Sequence, residues 1–311
     1  GEYSSQSKCI AEEVEKEQAT LSIKGKVDSR LKPTKISFQG SEKVIKTIDQ
    51  EKGKAKYDFP MQIKVENPRK QNLKINLKCE FQERGEDKKI KGVIKPKTIT
   101  LTEDKKTEDV YCTPPTFLKE GDYLLRYFAE FETNSNSFLN RVLVANKEVK
   151  ERRSKTYPKE QTKYPNDFAV IKFGVGKPYD DTLINVKEKP TLRAYILNNG
   201  QGKIISIKNY EFDLKGMTSS SCLKGSGKRI SLPKEAESKQ EIPLPTCSNI
   251  GIPSEMIPSE LEPHEFIAKL TYTYQLKEIV NGITFKTKND YHEKSNHLHH
   301  SDQFNVNPFF L

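Results

Sequence analysis

The feature that most restricts the fold of this chain is a long, regular alternation of apolar and polar residues. Near the C-terminus, one parity is taken by Phe266, Ala268, Leu270, Tyr272, Tyr274 and Leu276, while lysine, threonine and glutamine take the other. Because successive side chains of a β-strand point to opposite faces, this pattern predicts strands that bury one face only. Such strands need few apolar residues, which fits a chain with 34% hydrophobic and 31% charged residues.

The same alternation recurs from Leu21 onwards, and the only helical signal is a short lead within residues 1–18. The chain is therefore expected to be all-β, with its strands in antiparallel sandwiches. Asn281 and Gly282 stand between Ile279-Val280 and Ile283-Thr284. Since Asn-Gly accepts the positive φ angles of a type I′ turn, this dipeptide predicts a hairpin.

An internal repeat divides the chain. Cys79 and Cys222 are 143 residues apart, as are Tyr123 and Phe266. A shared offset indicates two copies of one domain. We expect two consecutive immunoglobulin-like sandwiches, with the following boundaries: a lead at 1–18, sandwiches at 19–146 and 166–290, a charged linker at 147–165 and a His-rich tail at 291–311.

The chain has five cysteines, and sequence alone does not fix how they pair. The repeat favours the disulfides Cys79–Cys112 and Cys222–Cys247 and predicts no partner for Cys9. On the chain-entropy account, each bridge would stabilise the fold by about 3–4 kcal/mol. The alternative is buried free thiols in a reducing compartment, since disulfides persist where the surroundings are oxidising.

Three short segments suggest a family. Leu118-Lys-Glu-Gly121-Asp-Tyr123 resembles the entry to a late strand of immunoglobulin-like domains. Segments 59–68 and 192–200 resemble one early strand, in two copies, of the CARDB-like domains of archaeal secreted or cell-surface proteins. The resemblance implies tandem immunoglobulin-like domains with adhesion, spacer or filament roles, and it brings no catalytic residue. The chain departs from antibody-type domains because it has no tryptophan.

The formal net charge of +10 has two interpretations. It favours anionic partners, so an anionic surface is a candidate. Alternatively, the lysines simply face water and discourage strand-to-strand aggregation. No nucleic-acid partner is expected, because Arg152 and Arg153 lack interleaved aromatic residues. No apolar run approaches the ~20 residues of a transmembrane helix, so none is expected.

No known catalytic motif occurs, and we expect neither an enzyme nor a cofactor. Asp180 and Asp181 are better explained by a solvated turn than by Ca²⁺, which takes more oxygen ligands. Four histidines are weak candidates for metal ligands: His292, His297, His299 and His300. Their spacing matches no recognised metal site. A polar tail with incidental metal affinity is the alternative.

The last residues alternate again, with Phe304, Val306 and Phe310 on an apolar side. This segment is a candidate assembly tail that adds a strand to a neighbour's sheet, or it folds back on its own domain. The sequence therefore favours a non-enzymatic, secreted or cell-surface structural or adhesive module with a protein partner or self-association. The alternative is a subunit of an extracellular filament or surface layer. A cytosolic polyanion-binding protein remains only if the cysteines are reduced.

Overall fold

The computed structural model describes residues 29–40, 46–50, 57–115, 118–219, 222–226, 230, 232 and 239–287. The predicted lead at 1–18, with Cys9, and the predicted tail at 291–311 lie outside these residues. In the described part, strands dominate and a single α-helix, α1, spans Lys147–Arg153. The prediction of an all-β protein is confirmed.

The strands are numbered in chain order. They are β1 (Lys35–Gln39), β2 (Lys46–Gln50), β3 (Phe59–Glu66), β4 (Leu73–Glu83), β5 (Lys89–Lys91), β6 (Val93–Lys95), β7 (Thr98–Leu101), β8 (Lys105–Thr113), β9 (Gly121–Val144), β10 (Ala169–Gly176), β11 (Leu183–Asn185), β12 (Thr191–Asn198), β13 (Lys203–Asp213), β14 (Lys224–Ser226), β15 (Glu241–Pro243) and β16 (Leu261–Thr287). Short 3-10 turns occur at Ser29–Leu31 and Ser254–Met256.

Two very long strands, β9 and β16, form an antiparallel ribbon through the centre of the molecule. Val144 faces Leu261 at one end, and Gly121 faces Phe285 at the other. At a rise of about 3.4 Å per residue, the ribbon is roughly 80 Å long along the strand. Alternate residues of both strands are buried, including Tyr127. The alternation in the sequence thus produces two continuous strands whose apolar faces form much of the core.

The predicted hairpin at Asn281-Gly282 is wrong. β16 continues through this dipeptide, and its register against β9 shifts between Val280 and Ile283. Gly282 has a φ of 77°, and a bulge uses such a residue without reversing the chain. Since β9 pairs with both flanking segments, the ladder favours continuation, and the Asn-Gly signal produces a bulge.

Three sheets make up the fold. The central sheet has the order β14-β13-β16-β9-β4-β5, with β11 added to β9, β2 to β16 and β7 to β4. Two smaller sheets have the orders β1-β3-β8-β6 and β10-β12-β15. Phe59 of β3 packs against Phe81 of the central sheet, with ring centroids 5.5 Å apart. Phe173 of β10 packs against Phe212 at the same separation.

The central sheet corrects the predicted domain organisation. Strands from both predicted sandwiches, 19–146 and 166–290, belong to one sheet. The first part of β9 pairs with β4, and its second part extends beside the half of β16 that pairs with β13. Buried residues of all three sheets form one continuous hydrophobic cluster. The two halves are therefore interlocked, because each long strand starts in its own half and ends in the other.

Residues 147–165, predicted as a charged linker, are packed. Asn146 caps α1 by accepting a hydrogen bond from the Val149 backbone N–H, and Val149 is buried. Lys163 exchanges two backbone hydrogen bonds of 2.7 Å with Phe138 of β9. The sequence looked like a linker because most of its side chains are charged and face water, while two anchors, Val149 and Tyr157, hold it.

The start of the second half is also tied to the first. The Asp167 carboxylate accepts a hydrogen bond of 2.9 Å from the Thr34 backbone N–H and one of 2.8 Å from Arg69. Burial raises the pKa of Asp167, and the nearby Arg69 cation opposes that rise. Both partners of this buried carboxylate come from the first half, so the contact crosses between the halves.

The repeat is visible in the two small sheets. β3 is flanked by β1 and β8, and β12 is flanked by β10 and β15. Each of these middle strands meets a fully buried asparagine at its C-terminal end, Asn67 and Asn198. The Asn67 side-chain amide donates to the Gln71 carbonyl at 2.7 Å, and that of Asn198 donates to the Gly202 carbonyl at 3.0 Å. The two copies therefore share one way of ending this strand.

The cysteines follow the repeat only in part. Cys79 of β4 lies opposite Tyr127 of β9. The repeat equivalent of Tyr127 is Leu270 of β16. The residue opposite Leu270 is Tyr210 of β13, so a tyrosine stands where the first copy has its cysteine. Cys222 instead lies outside β13, ahead of β14. The connection from β13 to β16 is longer than that from β4 to β9. Because of this extra length, an equal sequence offset does not place the two cysteines at equivalent sites.

Candidate functional site

A cleft of about 1090 Å³ lies over the outward face of the β10-β12-β15 sheet. Its floor includes Lys172 of β10, which lies opposite Tyr195 of β12, which in turn lies opposite Pro243 of β15. The alternation in β12 buries Ala194 against the core and turns Arg193 and Tyr195 outward. The floor is therefore the polar, aromatic face of a sheet whose other face belongs to the core.

One rim of the cleft is the turn at residues 177–181, which lies directly on β10. A Cβ atom at Gly174 would be 2.5 Å from the Tyr179 carbonyl oxygen and 2.7 Å from its ring. A Cβ atom at Gly176 would be 2.5 Å from the Pro178 carbonyl oxygen. Glycine at both positions allows this close approach. The turn presents the Tyr179 side chain at the rim, where it is 45% exposed.

A further wall of the cleft comes from the segment before β10. The Thr162 hydroxyl donates to the Phe173 carbonyl at 2.7 Å and accepts from the Phe173 N–H at 3.0 Å. These two hydrogen bonds satisfy the backbone of β10 at Phe173. Tyr164 follows two residues later. The Lys172 ammonium lies 5.9 Å from the centre of the Tyr164 ring and 5.8 Å from that of Tyr195. Two tyrosines thus flank one lysine at the bottom of the cleft.

A single buried side chain, Arg141 of β9, joins the floor, the wall and the rim. It is 1% exposed. Its Nε donates to the Val175 carbonyl at 3.0 Å, its Nη1 to the Glu160 carbonyl at 3.2 Å, and its Nη2 to the Tyr179 carbonyl at 3.4 Å. These three carbonyls belong to β10, to the wall segment and to the rim turn. The guanidinium therefore fixes the relative positions of the parts that form the cleft.

The charge of Arg141 is balanced locally. Burial lowers its pKa to about 10, while Glu160, Asp180 and Asp181 act in the opposite direction. The side chain stays protonated near neutral pH and keeps its donors. A buried cation is tolerated only when hydrogen bonds and opposite charges compensate its desolvation, and here backbone carbonyls and nearby carboxylates do so.

The cleft as a whole is nearly balanced in charge. Its lining has four basic and three acidic side chains: Arg141, Lys163, Lys172, Arg193, Glu160, Asp180 and Glu241. The Asp180 carboxylate accepts a hydrogen bond from Lys159 at 2.7 Å, and this contact lowers the pKa of Asp180. The Arg193 guanidinium lies over the Tyr179 ring, 5.2 Å from its centre. The surface thus combines aromatic faces with both donors and acceptors.

This combination suits ligand binding. Burial and the nearby Glu241 raise the pKa of Tyr195, so its phenol stays protonated as a donor. Binding sites commonly pair aromatic walls with a few polar groups that orient the ligand. A ligand with apolar faces and polar edges would match the cleft.

The two cysteine pairs are those expected from the sequence, and neither lines the cleft. Cys79 and Cys112 are joined with an S–S distance of 2.02 Å and connect β4 of the central sheet to β8 of the four-stranded sheet. Cys222 and Cys247 are joined at 2.05 Å. Gly92 lies against the first bridge, since a Cβ atom there would be 2.6 Å from both sulfurs. Both bridges are therefore structural in position.

Among the other candidate residues, Asp180 lines the cleft as part of the rim turn. His292, His297, His299 and His300, and the tail residues Phe304, Val306 and Phe310, lie outside the described residues. Among the residues that the structure does describe, no three His, Cys, Asp or Glu side chains are grouped to share a metal ion. The Asp180 and Asp181 carboxylates pair with Lys159 and Lys150 at 2.7 and 3.1 Å.

The sequence interpretation missed the cleft. A usable signal was Arg141, because it stands with Asn140 inside the apolar run at residues 138–144, and buried charges need a dedicated set of partners. Tyr179 and Tyr195 gave no signal, because single tyrosines in a turn and on a strand are ordinary. Their proximity depends on the pairing of β10 with β12.

Comparisons with known proteins do not assign a family. No protein-family description and no curated protein matches the chain. Among solved structures, the chain is similar to the class 5 fimbriae chaperone CfaA, with 11% identity over 74% of this chain and 98% of that one. The TM-score is 0.20, which is too low to support an argument about fold or function. In the described residues, no helix is both long enough and apolar enough to cross a membrane.

Proposed function

We propose that the chain is a non-enzymatic extracellular module of immunoglobulin-like build that serves as a rigid structural or adhesive element at a cell surface. The observation that carries this proposal is the β9–β16 ribbon, which pairs from Val144–Leu261 to Gly121–Phe285. A spacer or adhesive element must hold its binding surface at a fixed position relative to its attachment point, and an unbroken ribbon supports that requirement.

The ribbon resists bending between the halves for a physical reason. A hinge would have to break inter-strand hydrogen bonds at the middle of the ribbon and expose residues that are buried there. Phe131 and Tyr274, at this middle, are 1% and 0% exposed. Domains connected by a linker move relative to each other by default, whereas these halves share one sheet and one core.

The paired cysteines support an extracellular location. Bridges such as Cys79–Cys112 persist in oxidising compartments and are rare where thiols are kept reduced. The exposed faces of several strands carry lysine, as in β4, where Lys74 and Lys78 are exposed beside buried Ile75 and Leu77. Outward lysines keep such a sheet soluble at high surface density. We also propose an archaeal source for the protein, because the sequence resembles the CARDB-like domains of archaeal surface proteins.

A non-catalytic role fits the electrostatics of the cleft. The Asp180 carboxylate is ion-paired with Lys159, and its pKa is lowered. A general acid would need a carboxyl group with a raised pKa beside the reacting atom. Among the described residues, the carboxyl group whose pKa is raised is that of Asp167, which pairs with Arg69 away from the cleft. These pairings support the assignment of the cleft to binding.

The proposal is tested on intact cells of the source organism. Brief protease treatment of whole cells, followed by mass spectrometry, should release peptides of this chain, and a cytosolic marker protein should stay intact. Thiol labelling of the unreduced, denatured protein should detect no more than Cys9. Peptides that appear only after lysis, together with four further reactive thiols, would instead support the cytosolic polyanion-binding alternative.

The filament or surface-layer alternative has one observation in its favour. In the part of the chain that the structure describes, β1 pairs with β3 alone, so its other edge has no strand beside it. An open edge can accept an added strand through main-chain hydrogen bonds. The residues suggested for this role, Phe304, Val306 and Phe310, would supply that strand from a second copy of the chain.

A further inference from the structure

We propose that the cleft on the β10-β12-β15 sheet binds a neutral oligosaccharide through stacking on Tyr179 and Tyr195. This inference rests on the proposed adhesive function, because it names the class of ligand that such a module would hold.

The aromatic side chains at the cleft offer surfaces on which a sugar ring can stack. Three tyrosines, Tyr164, Tyr179 and Tyr195, border the cleft, and none is fully buried. A pyranose ring has flat faces of C–H groups, which pack against aromatic rings, and a rim of hydroxyl groups. The Tyr179 ring is held in place by backbone contacts that require Gly174. The structure thus maintains an apolar ring in water at a defined position.

The charged side chains of the cleft include both acidic and basic groups. The cleft carries four basic and three acidic side chains, although the chain as a whole has a net charge of +10. A site for a polyanion would concentrate basic groups and exclude carboxylates. Carboxylates such as Glu241 accept hydrogen bonds from hydroxyl groups, and cations such as Arg193 donate to them. The mixture fits a neutral ligand with many hydroxyl groups.

The shape of the cleft is fixed before any ligand binds, because Arg141 holds its parts together. Arg141 hydrogen-bonds the backbone of the floor, the wall and the rim, and it is nearly inaccessible to solvent. A fixed cleft loses little freedom when a ligand binds, and this lowers the entropic cost of association. The cleft volume of about 1090 Å³ is at the upper end of the usual range for ligand sites, so it has room for more than one sugar ring.

The experiment uses the full chain and a panel of neutral trisaccharides of glucose, mannose, galactose and N-acetylglucosamine. Saturation-transfer NMR identifies which of these bind, and tyrosine fluorescence gives the affinity. The chain has 13 tyrosines and no tryptophan, so tyrosine emission is not masked. We expect at least one trisaccharide to bind. We expect Tyr179→Ala and Tyr195→Ala each to weaken that binding about tenfold, the effect of losing one good contact, and Tyr179→Phe to retain it.

The matched control is Tyr111→Ala. Tyr111 is 42% exposed and Tyr179 is 45% exposed, but Tyr111 lies on β8, outside the cleft. Thermal unfolding of each variant shows that the fold is intact. The inference is overturned if no trisaccharide binds, if Tyr179→Ala binds like the wild type, or if Tyr111→Ala weakens binding equally.

A sulfated oligosaccharide from heparin serves as the competing probe. If it alone binds, and Lys172→Ala abolishes that binding, the cleft is an anion site and the inference is wrong. The cell-surface measurement is independent of these results. A chain that is displayed on cells and fails to bind sugars would overturn the ligand class and leave the proposed function standing.

Discussion

Phe131 and Tyr274 face each other across the middle of the β9–β16 ribbon, with ring centroids 6.0 Å apart. They are also 143 residues apart, so each holds the same place in its own copy of the repeat. The ring of Phe168 packs against both, at 5.1 and 4.9 Å. The two copies therefore meet antiparallel around this one equivalent pair, which interlocks them instead of placing them one after the other.

This central contact should be a major source of stability. Phe131→Ala removes a buried ring at the point where the halves meet, and we expect a loss of about 3–5 kcal/mol in the free energy of unfolding. Urea denaturation measures it. The exposed Tyr111→Ala should change stability by less than about 0.5 kcal/mol. A loss below about 1 kcal/mol for Phe131→Ala would mean that the two halves do not pack at this pair.

The cystine bridges are expected in the purified protein. Peptide mapping without reduction should find Cys79 linked to Cys112 and Cys222 linked to Cys247. Replacing both cysteines of one pair by serine should cost about 2–4 kcal/mol, because the unfolded chain loses a cross-link. A bridge from either half to the other, or four thiols that react in the native protein, would be incompatible with the fold described above.

Buried tyrosines should make the fold sensitive to alkali. Burial raises the pKa values of Tyr127, Tyr272 and Tyr274 well above the ordinary value of 10.0. Since the unfolded chain releases these protons near pH 10, their stabilising contribution is present below that pH and is lost as the pH rises further. Most of their tyrosinate absorbance should therefore appear together with the loss of circular dichroism.

Tyr127→Phe provides the control for this pH dependence. The Tyr127 hydroxyl donates to the Phe59 carbonyl at 2.7 Å, so the variant should lose about 0.5–1.5 kcal/mol at neutral pH. Above pH 10 its stability should fall less steeply than that of the wild type, because one raised pKa is gone. Tyrosinate absorbance that develops fully while the protein stays folded would contradict the burial of these side chains.

The strand-addition alternative makes its own prediction about the C-terminal residues. If Phe304, Val306 and Phe310 add a strand to a neighbour, the full chain should form larger species with rising concentration in light scattering. Deleting residues 303–311, or replacing these three residues by serine, should leave a folded monomer. A wild-type chain that is monomeric at every concentration would remove the main support for a filament.

The sequence predicted the strands better than their pairing. Alternation identified parts of both β9 and β16, and Phe266, Leu270 and Tyr274 are buried as that pattern implies. The continuity of β16 was missed because Asn281-Gly282 has the same local signature in a hairpin and in a bulge. Which one forms depends on the strand beside it, and that strand lies more than a hundred residues away in the chain.

The candidate site was unpredictable for a related reason. The cleft requires Arg141 of β9 to reach carbonyls in three later segments, and it requires Gly174 to accommodate Tyr179. Apart from Arg141, these residues are unremarkable in their local sequence. Only the tertiary arrangement brings Tyr164 and Tyr195 to Lys172 and places Tyr179 at the rim. Four of the cysteines form bridges, and Asp180 and Asp181 form ion pairs.

The claim that the halves form one interlocked unit is tested most directly by differential scanning calorimetry of the full, oxidised chain. The shared ribbon predicts a single unfolding transition whose calorimetric and van't Hoff enthalpies agree, as for a cooperative unit. Two separated transitions, with one half still folded after the other has melted, would contradict the shared sheet and with it the proposal of a rigid extracellular module.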